Sequence, residues 1–243
     1  MSWDKNTTVD APLQIPLQVR PPSPGARGLI FDMDGVLCDS EPLIAEAAAC
    51  MFAERYGVTV DLEEFRPFVG TGEQRYLGGV AERHGLRLDS DTDKKRVYDL
   101  YLQRIPGRLR PVAGAVQMVG AARATGWRIA LATSADEVKM HGNMREIGIS
   151  TDEFDAIITG DQVTRKKPQP DIFLVAARAL GLAPSECIVV EDAIHGVLAA
   201  KAAGMRCLAL TTTFSETDLK AAGADWTAPD FTQLPEGCPL QSA

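Results

Sequence analysis

Two aspartates that directly follow a short apolar run have the types and spacing needed for chemistry. Asp32 and Asp34 come after residues 28–31, which are typical of a buried strand, and Gly35 then permits a sharp turn. Carboxylates at the carboxyl end of a parallel strand face the crevice in which open α/β sheets bind ligands. Two such groups can divide acid and base roles and can hold a hard cation. Taken alone, the pattern fits a strand that merely ends in a turn equally well.

A calcium-binding EF-hand loop begins with the same two aspartates, but the continuation of the chain excludes it. Such a loop needs a third oxygen ligand at its fifth position and a glutamate at its twelfth. Val36 and Leu43 occupy these positions. The meaning of the two aspartates therefore depends on the other polar residues of the chain.

Three further polar clusters lie next to predicted strands and could meet Asp32 at one edge of a sheet. The clusters are Thr133 with Ser134, Lys166 with Lys167, and Glu191 with Asp192. Each cluster by itself also fits a simpler role, as a helix cap, a solvated lysine pair or a strand end. Two more carboxylates beside Asp32 would repel one another strongly unless a cation lay among them. Because oxygen ligands alone favour magnesium, the sequence predicts a Mg²⁺ site.

The second half of the chain alternates between helix and strand, which explains how these residues could be brought together. Near-continuous apolar strands are predicted over 127–133, 154–159, 187–190 and 205–210, and amphipathic helices over 115–125, 136–147, 171–180 and 194–203. Buried strands between such helices indicate a parallel sheet covered on both faces. We therefore predict an α/β protein with a Rossmann-like, doubly wound parallel sheet.

The first half of the chain is helical after its first strand. Helices are predicted over 43–56, 62–68, 73–84 and 92–105, and no convincing strand occurs between residues 44 and 108. The predicted domains are a flexible, Pro-rich lead-in at 1–26, an α/β core formed by 27–42 and 109–243, and an inserted α-helical cap at 43–108.

Composition limits the partners and the compartment. The 243 residues carry a net charge of -8, which argues against non-specific nucleic-acid binding, and no apolar run is long enough to span a bilayer. Five cysteines without a CxxC pair favour a reducing compartment. We expect no nucleic-acid or membrane partner, a cytoplasmic location with an organellar one left open, and a monomer or weak oligomer.

Four motifs in order carry a family resemblance. FDMDGVLCDSE, LATS, KKPQPDIF and VVEDAIHG resemble the haloacid dehalogenase superfamily, and specifically its phosphatase and β-phosphoglucomutase-like branch with a helical cap. The resemblance covers about residues 27–230, and four motifs in order are far more specific than any one of them.

The resemblance implies a role for each strand-end residue. Asp32 would attack phosphorus and become an aspartyl phosphate, while Asp34 would act as general acid and then general base. Mg²⁺ would be held by the Asp32 carboxylate, the Asp34 backbone carbonyl and Asp192, with Glu191 beside it.

The resemblance also implies how the phosphoryl group is held. Thr133 and the Ser134 backbone would bind its oxygens, and Lys167 would offset its negative charge. Lys167 is preferred to Lys166 because it directly precedes the Pro-x-Pro-Asp sequence. The cap would close over a small phosphorylated substrate, which Gly70 and Glu73 would contact.

Three residues at and near the cap help to decide which reaction of the superfamily the chain resembles. Dehalogenases and phosphonate-cleaving members lack an acid at the position of Asp34. Sugar-phosphate mutases of this branch usually carry His where this chain has Ile44 and a cap Arg where it has Glu73. An acid at that cap position would repel a second phosphate. Three cap cations could still reach the substrate, and they are Arg75, Arg83 and Lys94.

The resulting hypothesis is a Mg²⁺-dependent phosphatase that hydrolyses a small phosphorylated metabolite, such as a sugar phosphate, through an aspartyl-phosphate intermediate. One alternative is a β-phosphoglucomutase-like phosphotransferase. A second, from another class, is a catalytically inactive binding or regulatory module that has kept the fold.

Overall fold

A computed structural model describes residues 27–242 of the chain. The Pro-rich lead-in predicted at 1–26 lies outside the described residues. Within them, every element of the predicted α/β arrangement is present, and its bounds are given below.

In the described part of the chain, one sheet of six parallel strands organises the fold. The strands are β1 (Gly28–Phe31), β2 (Arg128–Ala132), β3 (Ala156–Ile158), β4 (Cys187–Glu191), β5 (Arg206–Leu210) and β6 (Trp226–Ala228). Their order across the sheet is β3-β2-β1-β4-β5-β6. The central strand β1 pairs with β2 and β4, and Phe31 lies level with Leu131 and Val190. The carboxyl ends of the three central strands therefore meet at the same edge.

Eight α-helices accompany the sheet within residues 27–242. They are α1 (Glu41–Tyr56), α2 (Glu73–Arg83), α3 (Ser90–Arg104), α4 (Ala115–Ala124), α5 (Glu137–Ile147), α6 (Asp171–Leu180), α7 (Ile194–Ala202) and α8 (Glu216–Ala221). Strand side chains alternate between two buried clusters. Leu29 and Phe31 belong to the cluster that includes residues of α4 and α5, whereas Ile30 belongs to the one formed with α6 and α7. The doubly wound α/β prediction is therefore confirmed.

The helices α1, α2 and α3 form the helical cap between β1 and β2. α1 packs along α3, and α2 contacts both α3 and a 3-10 turn, Leu62–Phe68. The cap shares a continuous apolar cluster with one face of the sheet through buried residues such as Phe52, Tyr101 and Ile105. The predicted domain boundaries at 42/43 and 108/109 stay a prediction.

The structure departs from the sequence prediction in three short elements. Residues 62–68 form a 3-10 turn and not an α-helix, since Pro67 lies inside the segment and cannot donate a backbone hydrogen bond. The helix α8 and the edge strand β6 were not predicted. With six and three residues, respectively, they are too short to show a clear period.

Two further observations concern the class of protein. Among residues 27–242, no helix is both long enough and apolar enough to cross a membrane. All five cysteines are free, and four of them are buried.

Candidate active site

The hydrogen bonds between strands continue for one residue beyond β1 and β2, and they hold the backbone of the residues that follow these strands. The backbone N–H of Asp32 donates to the carbonyl of Val190 at 2.9 Å, and that of Thr133 donates to the carbonyl of Ile158 at 2.9 Å. Gly35 adopts a positive φ of 73°, and a Cβ atom there would lie 1.9 Å from Asp192 Oδ2. Glycine is therefore required for the turn after Asp32 to approach Asp192.

Lys167 lies between two buried carboxylates. Its Nζ donates to Asp32 Oδ1 at 2.6 Å and to Glu191 Oε1 at 2.5 Å. Only 4% of Lys167 and 6% of Asp32 is exposed, so solvent screens these pairs little. The other Glu191 oxygen accepts from the backbone N–H groups of Asp192 at 3.0 Å and Ala193 at 3.2 Å. The Glu191 carboxylate thus holds Lys167 in place against Asp32.

The pKa values of these groups follow from burial and charge. Burial raises the pKa of Asp32 to about 7, although Lys167 acts in the opposite direction. Burial, followed by the charge of Glu191, raises the pKa of Asp192 well above its usual range. Burial alone would lower the pKa of Lys167, but the charges of Asp32 and Glu191 outweigh it and raise that pKa. The site concentrates negative charge in a buried place.

Three of these carboxylates could hold a cation. Asp32, Glu191 and Asp192 each offer an oxygen, and the three oxygens lie within 4.8 Å of one another. From donors in residues 27–242, the Glu191 carboxylate accepts three hydrogen bonds, whereas the Asp192 carboxylate accepts one, from the hydroxyl of Thr213. This set of oxygen donors suits a hard cation such as Mg²⁺, and it supports Asp32 and Asp192 as ligands with Glu191 beside them.

The Asp34 carboxylate, by contrast, is bound by two residues of α5 and by Ser40, which directly precedes α1. Asp34 Oδ2 accepts from Lys139 Nζ at 2.8 Å, and Oδ1 accepts from Asn143 Nδ2 at 3.3 Å. The hydroxyl of Ser40 also donates to Oδ1. These three donors fix the orientation of the Asp34 side chain.

Lys139 and Asn143 were not predicted from the sequence, although the sequence contains a signal for them. Both side chains are buried, and they lie four residues apart on α5, on the face that also buries Met140 and Met144. A lysine and an amide on the apolar face of an amphipathic helix need polar partners in the interior. Identifying Asp34 as the partner required the tertiary structure.

Lys139 also connects Asp34 to the cap. Its Nζ lies 3.6 Å from Glu73 Oε1 and 5.5 Å from the centre of the Tyr101 ring. Burial would lower the pKa of Lys139, but the charges of Asp34 and Glu73 raise it well above its usual range. Lys139 is therefore a buried cation shared by one residue of the core and one of the cap.

The residues after β2 contact the cap as well. Thr133 Oγ1 accepts from the backbone N–H of Ala135 at 3.1 Å, and Ser134 Oγ donates to the carbonyl of Gly70 at 3.3 Å. A Cβ atom on Gly70 would lie 2.9 Å from the Cβ of Ala193, so the cap loop passes close to the residue after Asp192. The structure therefore brings Ser134 into contact with Gly70, and a shared substrate site at these two residues stays a prediction.

A cavity between the sheet edge and the cap contains most of these residues. Its lining includes Asp32, Asp34, Glu41, Gly70, Glu73 and Lys139, together with Ser134 and Asp192. Thr133 and Lys167 are buried and adjoin this lining through Ser134 and Asp32. Glu41 is a further residue that the sequence analysis missed, since the start of a helix shows no sign of facing a site. Burial raises the pKa of Glu41 to about 8.

Comparison with known proteins identifies the family. The family described as haloacid dehalogenase-like hydrolase matches residues 26–204. A 209-residue stretch is 45% identical to the protein SUPPRESSOR OF QUENCHING 1, chloroplastic, of Arabidopsis thaliana, and covers 85% of this chain. The chain spans only 20% of that relative's length.

Other relatives match over most of their own length. The phosphorylated carbohydrates phosphatase of Thermotoga maritima is 33% identical over 177 residues, which cover 73% of this chain and 81% of the relative. The crystal structure of a CbbY variant from Rhodobacter sphaeroides in complex with xylulose 1,5-bisphosphate has a TM-score of 0.76 and 27% identity. That match covers 85% of this chain and 95% of the other. The chain therefore belongs to the haloacid dehalogenase-like hydrolases, in the branch that contains the phosphatases and the β-phosphoglucomutase-like proteins.

Proposed function

We propose that the chain is a Mg²⁺-dependent phosphatase that hydrolyses a small phosphorylated metabolite through an aspartyl-phosphate intermediate on Asp32. The observation that carries the proposal is the hydrogen bonding of the two Asp32 carboxylate oxygens at the cavity wall. Oδ1 is bound by Lys167, whereas Oδ2 has no hydrogen-bond partner among residues 27–242. A fixed carboxylate with one oxygen available to a ligand has the geometry that a nucleophile needs.

The reaction would proceed in two displacements. Asp32 Oδ2 attacks phosphorus, the bond from phosphorus to the alcohol oxygen breaks, and Asp34 gives a proton to the departing alkoxide. Asp34 then takes a proton from water, which attacks the aspartyl phosphate and releases inorganic phosphate and free Asp32. Asp34 lines the same cavity as Asp32, and its three donors hold it there.

The other strand-end residues would bind the phosphoryl group. Lys167 offsets negative charge as it collects on Asp32, and the Thr133 hydroxyl and the Ser134 backbone N–H donate to phosphoryl oxygens. Mg²⁺ at Asp32 and Asp192 would supply positive charge between the carboxylate and the phosphate. The cap covers this edge of the sheet and excludes bulk water from it.

Two cavity residues favour hydrolysis over phosphotransfer between sugar positions. Ile44 and Glu73 line the cavity where mutases of this branch would have a histidine and an arginine. Neither residue carries the positive charge that would bind the second phosphate of a bisphosphate intermediate. The name of the Thermotoga maritima relative supports a phosphorylated carbohydrate as the substrate class.

The test is release of inorganic phosphate from a panel of sugar phosphates, nucleotides and phosphoglycolate, with Mg²⁺ and with chelator. We expect Mg²⁺-dependent turnover in the wild type and a loss of at least about 1,000-fold in Asp32→Asn, because the variant lacks the nucleophile. Asp39→Asn provides a matched control, since Asp39 lies in the same loop and is exposed. It should keep wild-type turnover.

Two results would contradict the proposal. If the panel gives no release but β-glucose 1-phosphate is isomerised, the phosphotransferase alternative is correct. If neither reaction occurs and Asp32→Asn still binds phosphate as the wild type does, the chain is a binding module.

A further inference from the structure

The part of the cavity beyond Asp32 contains two glutamates and one lysine. Glu73 begins α2 in the cap, Glu41 begins α1, and Lys139 comes from α5. Lys139 is already paired with Asp34 at 2.8 Å and lies 3.6 Å from Glu73. The ammonium group of Lys139 is therefore neutralised by carboxylates of the protein itself. The remaining charge of the cavity wall that faces a bound substrate is acidic.

The Glu73 carboxylate has an oxygen that the protein does not satisfy. Glu73 is 8% exposed, and its Oε2 is buried without a hydrogen-bond partner among residues 27–242. An unsatisfied buried acceptor destabilises the protein, so a ligand that donates a hydrogen bond to it binds more tightly. Since Glu73 lines the cavity, a rotation of its carboxylate would bring this oxygen to a substrate donor.

The Glu41 carboxyl likewise receives no hydrogen bond from any residue in 27–242, and it lines the same cavity. Burial raises the pKa of Glu41 to about 8 and raises the pKa of Glu73 above its usual value. A carboxylate accepts from a hydroxyl group, and a neutral carboxyl both donates and accepts. Both groups therefore suit hydroxyl groups in either state.

The cap cations that could bind a second anion are engaged elsewhere. Arg75 pairs with Glu82 at 3.0 Å, and Lys94 pairs with Asp136 at 2.5 Å. Arg83 donates to the carbonyl of Glu64 at 3.3 Å and lies over the Phe68 ring at 5.1 Å. None of the three lines the cavity that contains Asp32.

We propose that Glu73 and Glu41 select an uncharged, polyhydroxylated leaving group by accepting its hydroxyl groups, and that they exclude substrates with a second phosphate or a carboxylate. The inference rests on the proposed phosphatase function and makes its substrate class specific. It separates this chain from the structurally similar CbbY variant, which is bound to xylulose 1,5-bisphosphate. A second anion in this cavity would meet two acids and no available cation.

The test compares kcat/KM for five phosphates in the presence of Mg²⁺. Sorbitol 6-phosphate is the polyol substrate, and xylulose 5-phosphate and xylulose 1,5-bisphosphate form a matched pair. 2-Phosphoglycolate adds a carboxylate, and 4-nitrophenyl phosphate lacks hydroxyl groups on its leaving group. We expect the wild type to prefer each polyol monophosphate over the bisphosphate and over phosphoglycolate by at least about tenfold.

Variants assign this preference to the two glutamates. Glu73→Gln removes the charge and should reduce discrimination against the bisphosphate by at least about tenfold. Glu73→Ala and Glu41→Ala should lower kcat/KM for sorbitol 6-phosphate at least about tenfold more than they lower kcat/KM for 4-nitrophenyl phosphate, and the 4-nitrophenyl phosphate hydrolysis that remains shows that the variants fold. Glu63→Gln is the matched control, because the Glu63 side chain is 80% exposed on the cap.

The outcomes separate the two proposals. Equal use of the bisphosphate or phosphoglycolate by the wild type, with 4-nitrophenyl phosphate hydrolysed, overturns the specificity inference alone. An unchanged preference in Glu73→Gln and in Glu41→Ala also overturns it. Absence of Mg²⁺-dependent hydrolysis of every compound overturns the phosphatase proposal, and the inference falls with it.

Discussion

At the scale of single residues, the Lys167 ammonium group balances two carboxylates that would otherwise repel each other. Asp32 and Glu191 bind the same Nζ, at 2.6 and 2.5 Å, in a part of the molecule that water hardly reaches. Removing one member of a buried ion pair leaves its partners without compensation. The lysine therefore serves stability as well as the proposed chemistry.

Lys167→Met should lower the free energy of unfolding by about 3–5 kcal/mol at pH 8 in chelator, because two buried carboxylates lose their common cation. Lys166→Met is the control, since the Lys166 Nζ donates to the backbone carbonyls of Gly160 and Val163 and its loss should cost about 1 kcal/mol. Urea unfolding measures both changes. Equal losses in the two variants would show that the ion pairs do not stabilise the fold.

Glu41 provides a pH-dependent prediction. Its pKa is about 8 in the folded protein against 4.5 as the usual value, so the folded state holds the proton more tightly. The protonated Glu41 carboxyl group therefore contributes to the free energy of unfolding. This contribution is complete below pH 4.5 and is lost as the pH rises through 8, and the free energy of unfolding falls by at most about 1.4 kcal/mol per pH unit. Glu41→Gln should therefore show a shallower decline in unfolding free energy between pH 5 and 8 than the wild type.

The measurement for Glu41 is urea unfolding in chelator across that pH range. Other buried acids add declines of the same sign, so the difference in slope between variant and wild type is the informative quantity. Glu63→Gln, which changes an exposed glutamate, should retain the wild-type slope. Parallel slopes for Glu41→Gln and the wild type would show that the Glu41 carboxyl ionises freely in the folded protein.

At the scale of elements, the helix after β4 approaches the site closely because it contains a glycine. A Cβ atom on Gly196 in α7 would lie 1.9 Å from Glu191 Oε1. The Glu191 side chain cannot yield easily, since Lys167 and two backbone N–H groups hold its carboxylate. The close contact between β4 and α7 therefore depends on this residue.

Gly196→Ala should displace Glu191, reduce turnover at least about tenfold and destabilise the fold by about 1–3 kcal/mol, which is the usual range for overpacking. Gly120→Ala is the control, because Gly120 lies within α4 with nothing within 4 Å of a Cβ atom. That change should stabilise the protein by about 0.5–1 kcal/mol and leave turnover unaffected. Wild-type turnover and stability in Gly196→Ala would show that Glu191 has room to move.

The sequence predicted the main elements because their patterns are strong. The predicted helix 171–180 agrees with α6, and the predicted strand 187–190 lacks only the last residue of β4. Apolar strands bounded by glycines, and helices that end at glycines, leave few alternatives. β6 and α8 were missed because elements of three and six residues show too little periodicity for assignment.

The sequence predicted the part of the site that follows strands and missed the part that lies on helices. Asp32, Thr133 and Asp192 could be placed at one edge because parallel strands end together. Lys139 and Glu41 could not be placed, since their positions depend on how α5 and α1 are rotated against the sheet. That rotation is set by tertiary packing, which a local pattern does not specify.

At the scale of the whole molecule, polar contacts join the cap to the core around the cavity. Lys94 of α3 pairs with Asp136, and the hydroxyl of Tyr98 accepts from the Asp136 backbone N–H at 3.3 Å. Tyr101 donates to Asn143 Oδ1 at 2.7 Å. Since Asn143 also binds Asp34, the cap position and the orientation of Asp34 are linked through α5.

Binding of Mg²⁺ should stabilise the whole molecule, because the buried carboxylates of Asp32 and Asp192 are costly without a cation. At 100 times the dissociation constant, a ligand adds about 2.7 kcal/mol, or about 5–10 °C in Tm for a chain of this size. Asp192→Asn should lose this rise but be at least as stable as the wild type in chelator, since it buries one charge fewer. Asp39→Asn, at an exposed position, should keep the full rise. Thermal unfolding with and without Mg²⁺ measures all three proteins, and an equal rise in Asp192→Asn would place the cation elsewhere.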